Sequence, residues 1–406
     1  MFENIIGQES TIATLRRELS SGTLPQAVLL HGPPYSGKLS TALEIARVLT
    51  CARSGEWSCA CPSCIRQRLL THPGTVLAGS RYFRREIAAS ADVLLRTRKP
   101  PARYLFIRAV RKLTRRFDPL LWEGEDSRVR ALGPVLAQVE ETLDSLSPDR
   151  DEGAEPKEKG LEKMLEAIQA GCRQLAQALP EDNIPINVVR RAAAWLHLTP
   201  GLGEIRKVLI LENAERMLDS SANSLLKLLE EPPPNARLVL ITVRRAALRE
   251  TVASRLRPYP LVERGPEQSA EVLARIFREE GSSYSSLRDY FLRWEEVNPD
   301  ELRLLAQRFV QSALAGPEEE AQPDSAGALE QITELASTRN GRQITVVFFE
   351  ELTLRLQQLL QAGAIEPRRL RRWSDAFRQH LEALQRYNQQ PVLNLESLYY
   401  TLRGLT

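Results

Sequence analysis

A glycine-containing loop between an apolar run and a helical pattern constrains this chain more than any other feature. Residues 27–31 form a short apolar run typical of a buried strand, and residues 40–49 repeat apolar side chains at helical spacing. Between them, residues 32–39 read GPPYSGKL, in which two glycines and a following lysine fit the frame G-x-x-x-x-G-K. This frame, after a strand and before a helix, is typical of a P-loop and predicts an α/β fold.

The residue types of this loop predict what it binds. Glycines let the backbone approach a phosphate closely, and the N–H groups at the start of a helix favour an anion. We expect Lys38 to reach the terminal phosphates of a nucleotide, with Gly32, Ser36 and Gly37 forming the loop around them. The predicted ligand is therefore ATP or ADP.

The metal side of the predicted nucleotide site is altered. The position after the lysine normally holds Ser or Thr, whose hydroxyl binds Mg²⁺, but here it is Leu39. Ser40 lies one residue later, about 100° further around a helix, so it should not face the same ion. Leu39 keeps its place in the loop without offering a metal ligand, and Mg²⁺ binding is expected to be weak or absent.

A second apolar run ends at the acidic part of the predicted site. Residues 207–211 are typical of a buried strand and are followed by Glu212 and Asn213. A hydrolytic P-loop ATPase ends this strand with an Asp for the metal and often a Glu that polarises the attacking water. Glu212 could serve the metal with a longer side chain, but Asn213 is a neutral amide and accepts no proton. The chain is therefore not expected to be a competent ATPase alone.

The order of the remaining patterns indicates the fold class. A helical pattern at 187–197 precedes the second strand, and a helix at 220–229 and a strand at 238–242 follow it. Strands that alternate with helices imply a parallel sheet with helices on both faces. Beyond about residue 263 the pattern is helical throughout, except for a predicted linker or exposed loop at 318–325.

Four of the five cysteines fall within fourteen positions, with the spacing C-x₇-C-x-C-x₂-C. They are Cys51, Cys59, Cys61 and Cys64. Four thiolates can close a tetrahedral Zn²⁺ site and leave no open coordination position, so we predict structural zinc. The alternative is a loop of reduced, unliganded thiols. Cys172 stands alone on a helical pattern and is expected to be buried.

Residues from about 80 to 183 differ from the segments around them. Between residues 81 and 120, twelve Arg and Lys stand against three Asp and Glu, although the whole chain has a net charge of only +3. Residues 104–117 carry an apolar stripe at helical spacing, with basic side chains mostly elsewhere, and 145–160 is an acidic stretch typical of a loop. Such a basic helix can dock on DNA phosphates or an acidic partner. We favour the alternative, in which the stripe packs and the basic face stays in water.

Two stretches around the second strand resemble a known family. Residues 207–215 read KVLILENAE and residues 222–233 read ANSLLKLLEEPP. They closely resemble the AAA+ clamp-loader subunits of bacterial DNA polymerase III. Further landmarks stand in the family's order. They are Phe2 with residues 5–8, similar to the box that packs on adenine; 24–27; His72 and Pro73; Thr242, at the sensor-1 position; Ser254, Arg255 and Leu256, similar to a Ser-Arg-Cys motif; and 387–398, similar to the last collar helix.

The resemblance implies an architecture. An α/β AAA+ core would occupy residues 1–263, with a zinc module at about 51–64 and an insertion at about 80–183. A small helical lid would follow at 264–315 and an all-α collar at 316–406. The family's usual cysteine frame is C-x₈-C-x₂-C-x₂-C, so this copy is shorter by one residue at two points.

The resemblance also implies a role and partners. An altered nucleotide site beside a retained Ser-Arg motif is similar to the delta-prime subunits, which act as stators beside the gamma/tau motors. By that likeness Arg255 would act in trans on ATP held by a neighbouring gamma subunit. The expected partners are the gamma/tau and delta subunits, the sliding clamp, and primer-template DNA through the assembled ring.

Two other functions stay open. The chain could be a gamma/tau-type ATPase motor that tolerates Leu39, or a zinc-bearing, DNA-binding AAA+ protein outside replication. No apolar run of about 18 residues occurs, and the first residues lack the features of a signal peptide, so the expected location is the cytoplasm.

Overall fold

A computed structural model of the chain contains two compact units, Met1–Trp294 and Glu295–Thr406. The structure describes residues 1–79, 81–122, 130–148, 158–180, 183–198, 206–281, 284, 286–294, 298–314, 323–338, 341–386 and 389–404. The domain limits expected from the resemblance, including a lid that ends at residue 315, stay a prediction.

The first unit is built on a five-stranded sheet whose strand order is β2-β3-β4-β1-β5, with every neighbouring pair parallel. The strands are β1 (Ala27–His31), β2 (Thr75–Gly79), β3 (Lys207–Glu212), β4 (Ala236–Thr242) and β5 (Arg257–Pro260). The three apolar runs expected to be strands are confirmed. Their side chains are almost all buried, as a parallel sheet covered on both faces requires.

Helices pack around this sheet and also form the insertion. They are α1 (Glu9–Ser20), α2 (Lys38–Thr50), α3 (Pro62–Arg68), α4 (Arg84–Thr97), α5 (Pro100–Thr114), α6 (Pro119–Trp122), α7 (Gly133–Ser145), α8 (Glu158–Ala178), α9 (Ile186–His197), α10 (Asp219–Glu230), α11 (Glu250–Ala253), α12 (Pro266–Val272) and α13 (Leu287–Leu292). The loop expected at 145–160 is shorter than predicted, because α7 ends and α8 begins inside it; residues 149–157 lie outside the described part. Residue 80, the expected start of the insertion, is also outside it.

The insertion has its own apolar core. The stripe expected on residues 104–117 is buried in it, and α8 packs against α4 and α5. Residues between 272 and 291 belong to the same cluster, so the insertion packs against the segment that follows the sheet. The solvated basic face was a wrong interpretation for Arg111, Lys112 and Arg116, whose side chains are buried and ion-paired.

The second unit consists of helices in its described residues. They are α14 (Pro299–Leu314), α15 (Pro323–Ser337), α16 (Gly341–Gln361), α17 (Pro367–Arg386) and α18 (Pro391–Gly404). The linker expected at 318–325 is helical from Pro323 onward, and its first residues lie outside the described part, as do 387 and 388 of the segment similar to a collar helix. Among the described helices of the chain, none is long and apolar enough to cross a membrane.

Candidate nucleotide site and cysteine cluster

Three predicted site segments meet at one edge of the sheet. Strands β3, β4 and β1 are neighbours and parallel, so their carboxyl ends lie side by side. Glu212 ends β3 and Thr242 ends β4, opposite His31 at the end of β1, where the glycine-containing loop begins. Ligands of open parallel sheets bind in the crevice outside these ends, so this edge is the candidate nucleotide site.

The glycines of the loop are required by its conformation. Gly37 has a φ of 94° at the start of α2, in the left-handed region that favours glycine. A Cβ on Gly32 would lie 2.0 Å from the carbonyl oxygen of Leu261, so only glycine fits there. The backbone of this loop therefore requires glycine at both positions, and phosphate binding by the loop stays a prediction.

Lys38 is folded onto its own loop. Its ammonium group donates to the carbonyl oxygen of Gly32 at 2.7 Å, to that of Pro33, and to Ser36 Oγ at 3.3 Å. Ser36 Oγ in turn donates to the carbonyl of Pro33 at 2.8 Å. The lysine is 7% exposed. These loop oxygens hold the ammonium group against its own loop.

Burial and several neighbouring charges shift the pKa of Lys38. Burial lowers its pKa to about 8. The carboxylates of Glu215 and Glu212 oppose this shift. The guanidinium groups of Arg81 and Arg264 add to it. The ammonium form therefore predominates at neutral pH, but a nearby anion would stabilise it further.

Arg264, which follows β5, contacts the loop and was not predicted as a site residue. Its Nε donates to the carbonyl of Ile6 at 2.9 Å, and its Nη1 donates to the carbonyl of Tyr35. Its Nη2 lies 2.7 Å from the place that a Cβ on Gly37 would take. No local pattern marks this arginine, because it follows the last strand and meets the loop only in the folded chain.

The side chains of Leu39 and Thr242 both make contacts within the folded chain. Leu39 is buried in the apolar cluster that covers one face of the sheet, so the place of the usual Mg²⁺ ligand belongs to the core. Thr242 Oγ1 accepts a hydrogen bond from the backbone N–H of Arg244 at 3.1 Å and is fully buried. Asn213 has a φ of 51° and turns the chain directly after β3.

Glu212 is engaged by two arginines of the insertion. Arg81 Nη1 donates to Glu212 Oε1 at 2.9 Å, and Arg116 Nη2 donates to Oε2. Arg81 also donates to Glu86 at 2.6 Å, and Lys112 binds the other oxygen of Glu86. Two acids and three bases thus form one network beside the phosphate loop. Apart from the basic composition of the insertion, no pattern in the sequence indicates this network.

A cavity of about 850 Å³ opens over this edge of the sheet. Its walls come from the phosphate loop, the end of β3, the helices α4 and α5, and the segment around 272–291. Nine basic and three acidic side chains line it. The basic ones are Lys38, Arg81, Arg85, Lys99, Arg108, Lys112, Arg264, Arg275 and Arg278. The excess of positive charge makes the cavity suited to an anion.

Mg²⁺ does not fit this site as the residues stand. Its usual hydroxyl ligand is replaced by buried Leu39, and the carboxylate of Glu212 already accepts from two guanidinium groups. A divalent cation has no free acidic ligand at either of these positions. The expectation of weak or absent metal binding stays a prediction.

Arg255 lies elsewhere on the unit. It follows α11, and its guanidinium donates to Glu230 Oε1 at 2.6 Å and to the carbonyl of Thr251 at 2.8 Å. The side chain is about one third exposed and does not contribute to the wall of the cavity. The structure therefore does not bring Arg255 together with the predicted nucleotide residues of its own chain, and its role in trans stays a prediction.

The four clustered cysteines converge as the spacing predicts. Their Sγ atoms all lie within 4.8 Å of one another, with Cys51 3.6 Å from Cys59 and 3.9 Å from Cys61. Sulfurs around a tetrahedral zinc with Zn–S bonds of 2.3 Å stand about 3.8 Å apart. The set can hold a metal ion, and its soft, all-sulfur chemistry suits Zn²⁺. Cys172, expected to be buried, is buried.

Arg47 supports the cluster and was not predicted. This buried arginine donates to Cys64 Sγ at 3.2 Å and pairs with Glu44 through two bonds of 2.8 and 2.7 Å. It also binds the carbonyl oxygens of Gly55 and Glu56. A positive charge against one sulfur favours the thiolate form that binds metal. The helix α2 thus starts at the phosphate loop and ends at the cysteine cluster.

Comparisons with known proteins find a matching family model and a similar solved structure. The family model described as DNA polymerase III, delta subunit, matches residues 7–113 and 154–264, which together are more than half of the chain. A solved gamma subunit-related protein of DNA polymerase III from Thermotoga maritima is 18% identical, with 57% of this chain and 88% of that chain covered and a TM-score of 0.28. A comparison with curated proteins gives no match.

Proposed function

Because the chain belongs to the DNA polymerase III, delta subunit, family of clamp-loader proteins, we propose that it is a delta-prime-like stator of a clamp loader. In this role it would help to load the sliding clamp on primed DNA without turning over ATP itself. The observation that carries the proposal is the pairing of Glu212 with Arg81 and Arg116, at the position where a motor subunit needs a free acid.

The other residues of the site support a stator over a motor. Leu39 offers no ligand for Mg²⁺, and Asn213 offers no base for a water molecule. Gly32 and Gly37 have a positive φ, and Ser36 and Lys38 hydrogen-bond within the same loop, which supports a retained phosphate loop. We propose that this loop, with Thr242 nearby, holds a nucleotide without hydrolysing it.

Arg255 is the proposed link to a neighbour's ATP. It is exposed, and its one carboxylate contact in the described structure is with Glu230, itself about half exposed. An exposed pair of this kind stabilises the fold by about 0–1 kcal/mol, so little opposes its release. A planar, permanently charged guanidinium suits charge on a transferred phosphoryl group. The proposed partners are gamma/tau and delta subunits, the clamp, and DNA through the ring, with Zn²⁺ held by the four cysteines.

The test is the DNA- and clamp-stimulated ATPase of a ring rebuilt from this chain with gamma and delta subunits. Arg255→Ala is compared with Arg249→Ala, a matched control, since Arg249 is also exposed and also pairs with an acid of α10, Asp219. We expect Arg255→Ala to lower turnover several-fold while the ring still assembles, and Arg249→Ala to leave it unchanged.

Other outcomes lead elsewhere. Equal turnover in both variants would make Arg255 structural and end the trans-finger proposal. Failure of any ring to form would remove the clamp-loader role and favour a DNA-binding protein outside replication. Mg²⁺-dependent turnover by the isolated chain would show a gamma/tau-type motor instead.

A further inference from the structure

The arginines around Glu212 point beyond the loss of hydrolysis. We propose that Arg81, in the wall of the cavity, takes the place of the divalent cation, while Arg116, which does not line the cavity, occupies the other oxygen of Glu212, so that the cavity binds a diphosphate or triphosphate group without Mg²⁺. This inference rests on the nucleotide loop of the proposed function, but not on the role of Arg255. It names the ligand class as a metal-free polyphosphate anion.

The first argument is the position of the charges. In a P-loop site the acid at the end of the second strand binds Mg²⁺, directly or through water, and the metal neutralises the phosphates. Here Glu212 ends that strand, and both of its oxygens accept from guanidinium groups. A metal ion added at this point would meet two fixed positive charges and no free carboxylate oxygen on Glu212.

The second argument is that Arg116 is held in place. It is 2% exposed, and besides Glu212 it donates to the backbone carbonyls of Ala78 and Lys112. Ala78 belongs to β2 and Lys112 to α5, so the guanidinium is fixed from two elements. Moving it aside would leave one oxygen of a buried carboxylate and two carbonyl oxygens without this donor, which is unfavourable inside the protein. Mg²⁺ would have to overcome this unfavourable change before it could bind.

The third argument is the excess positive charge of the cavity. Lys38, Arg108 and Arg264 direct their hydrogen bonds mainly at backbone carbonyl oxygens, which carry no net charge. Burial withdraws water from these charges and lowers the pKa of all three side chains. A polyphosphate would supply the missing negative charge, and arginine matches phosphate oxygens with paired donors.

The experiment is calorimetric titration of the full chain with ATP and with inorganic pyrophosphate. Each titration is run with excess Mg²⁺ and in buffer freed of divalent ions by a chelating resin, because a soluble chelator would strip the cysteine cluster. We expect binding of both anions, with affinities that agree within about twofold between the two buffers. An affinity that rises tenfold or more with Mg²⁺ would overturn the inference. Failure of ATP or of pyrophosphate to bind would also overturn it.

Two variants locate the effect. Leu39→Thr restores the usual metal-binding hydroxyl but leaves Arg116 in place, so it should gain no Mg²⁺ dependence. Leu39→Thr with Arg116→Met frees one oxygen of Glu212 and should gain it, by about tenfold or more. Mn²⁺ paramagnetic resonance reads metal binding directly in both variants. Metal binding by Leu39→Thr alone would contradict the inference, and if the double variant does not fold, the wild-type titrations still decide the matter.

The result is separable from that of the ring experiment. A chain that joins the ring but binds no polyphosphate removes this inference and keeps the stator role. A chain that binds polyphosphate without Mg²⁺ but joins no ring removes the stator role and keeps this inference.

Discussion

Single buried cations govern the chemistry of both sites in this chain. Lys38 in the phosphate loop and Arg47 at the cysteine cluster are each held by several oxygens or sulfur atoms of their own chain. A ligand that binds beside either side chain should interact strongly with it, because a buried charge responds strongly to a new opposite charge. The predictions at this scale concern these two side chains.

Anion binding should draw a proton onto Lys38 at alkaline pH. Burial lowers its pKa to about 8, and a bound phosphate would raise it again. Above pH 8 we therefore expect polyphosphate binding to take up protons and to weaken as the pH rises. The charged groups that act on this ammonium group are Glu215, Glu212, Arg81 and Arg264. Calorimetry in two buffers of different ionisation enthalpy measures the uptake.

The control for this prediction is Lys38→Met, which should remove the proton uptake. Proton uptake that persists in Lys38→Met would assign it to another group.

The pH dependence of protein stability gives a second test of the direction of this pKa shift. The unfolded lysine titrates near 10.5 and the folded one near 8, so the unfolded chain binds more protons between these values and the contribution of this group to stability rises with pH there.

Arg47→Met should lower the affinity of the cysteine cluster for Zn²⁺. Four thiolates around Zn²⁺ carry a net charge of −2, and Arg47 is placed against one of them. Loss of such a partner costs about 10–100-fold in metal affinity, and leaving Glu44 buried and unpaired costs about 3–5 kcal/mol of stability. Zinc release to a chromogenic chelator measures the first effect and denaturant unfolding the second.

Arg53→Met is the matched control for the cysteine cluster. Only the backbone N–H of Arg53 contacts a cysteine, Cys51 Sγ at 3.3 Å, and its side chain is exposed. Its zinc release should equal that of the wild type. Release from Arg47→Met at the wild-type rate would remove the guanidinium from any role in holding the metal.

At the scale of elements, the insertion is joined to the sheet by charge as well as by apolar packing. Helix α4 contributes Glu86, the end of α5 contributes Lys112, and Arg116 follows α5 beside β2. Arg116 pairs with Glu212 at the end of β3, and Arg81 links Glu212 to Glu86, which pairs with Lys112. The insertion thus supplies charges to the core site, and its basic composition has a structural reason.

Glu86→Gln should remove a specific part of the acid sensitivity of the fold. Burial opposes the ionisation of Glu86, but Lys112 and Arg81 lower its pKa from 4.5 to about 2. A lowered acid pKa adds stability that is present above pH 4.5 and is lost as the pH falls towards 2. The variant should be less stable at neutral pH by about 3–5 kcal/mol and should show a flatter decline over that range.

Denaturant unfolding at several pH values measures this effect. Glu141→Gln is the control, since Glu141 is an exposed acid on α7 of the same insertion. It should behave as the wild type at every pH. A Glu86→Gln chain with the wild-type pH dependence would show that the network does not contribute to folding in this range.

At the scale of the molecule, two units with separate cores should unfold separately. The cysteine cluster lies in Met1–Trp294 and the helices α14–α18 lie in Glu295–Thr406. A metal that binds only the folded form stabilises the unit that holds it. We expect two calorimetric transitions, of which a zinc chelator lowers only one, by about 5 °C or more. Movement of both transitions together would show that the units unfold as one.

Local chemistry explains what the sequence by itself determined. Periodicity identified the strands at 27–31, 207–211 and 238–242, because a covered parallel strand must be apolar throughout. The phosphate loop and the cysteine cluster could be recognised in the sequence because their predicted ligating groups lie close together along the chain. The family resemblance was carried by contiguous stretches of the same kind.

Only the tertiary structure decided which groups meet at the site. Arg81 and Arg116 reach Glu212 from 131 and 96 residues away, and Arg264 reaches the loop from 229 residues away. A basic run of sequence looks the same whether water or a buried acid faces it, which is why the insertion was interpreted as solvated. Charge pattern is local, whereas charge compensation is settled by packing between distant segments, and this difference is the physical limit of the prediction.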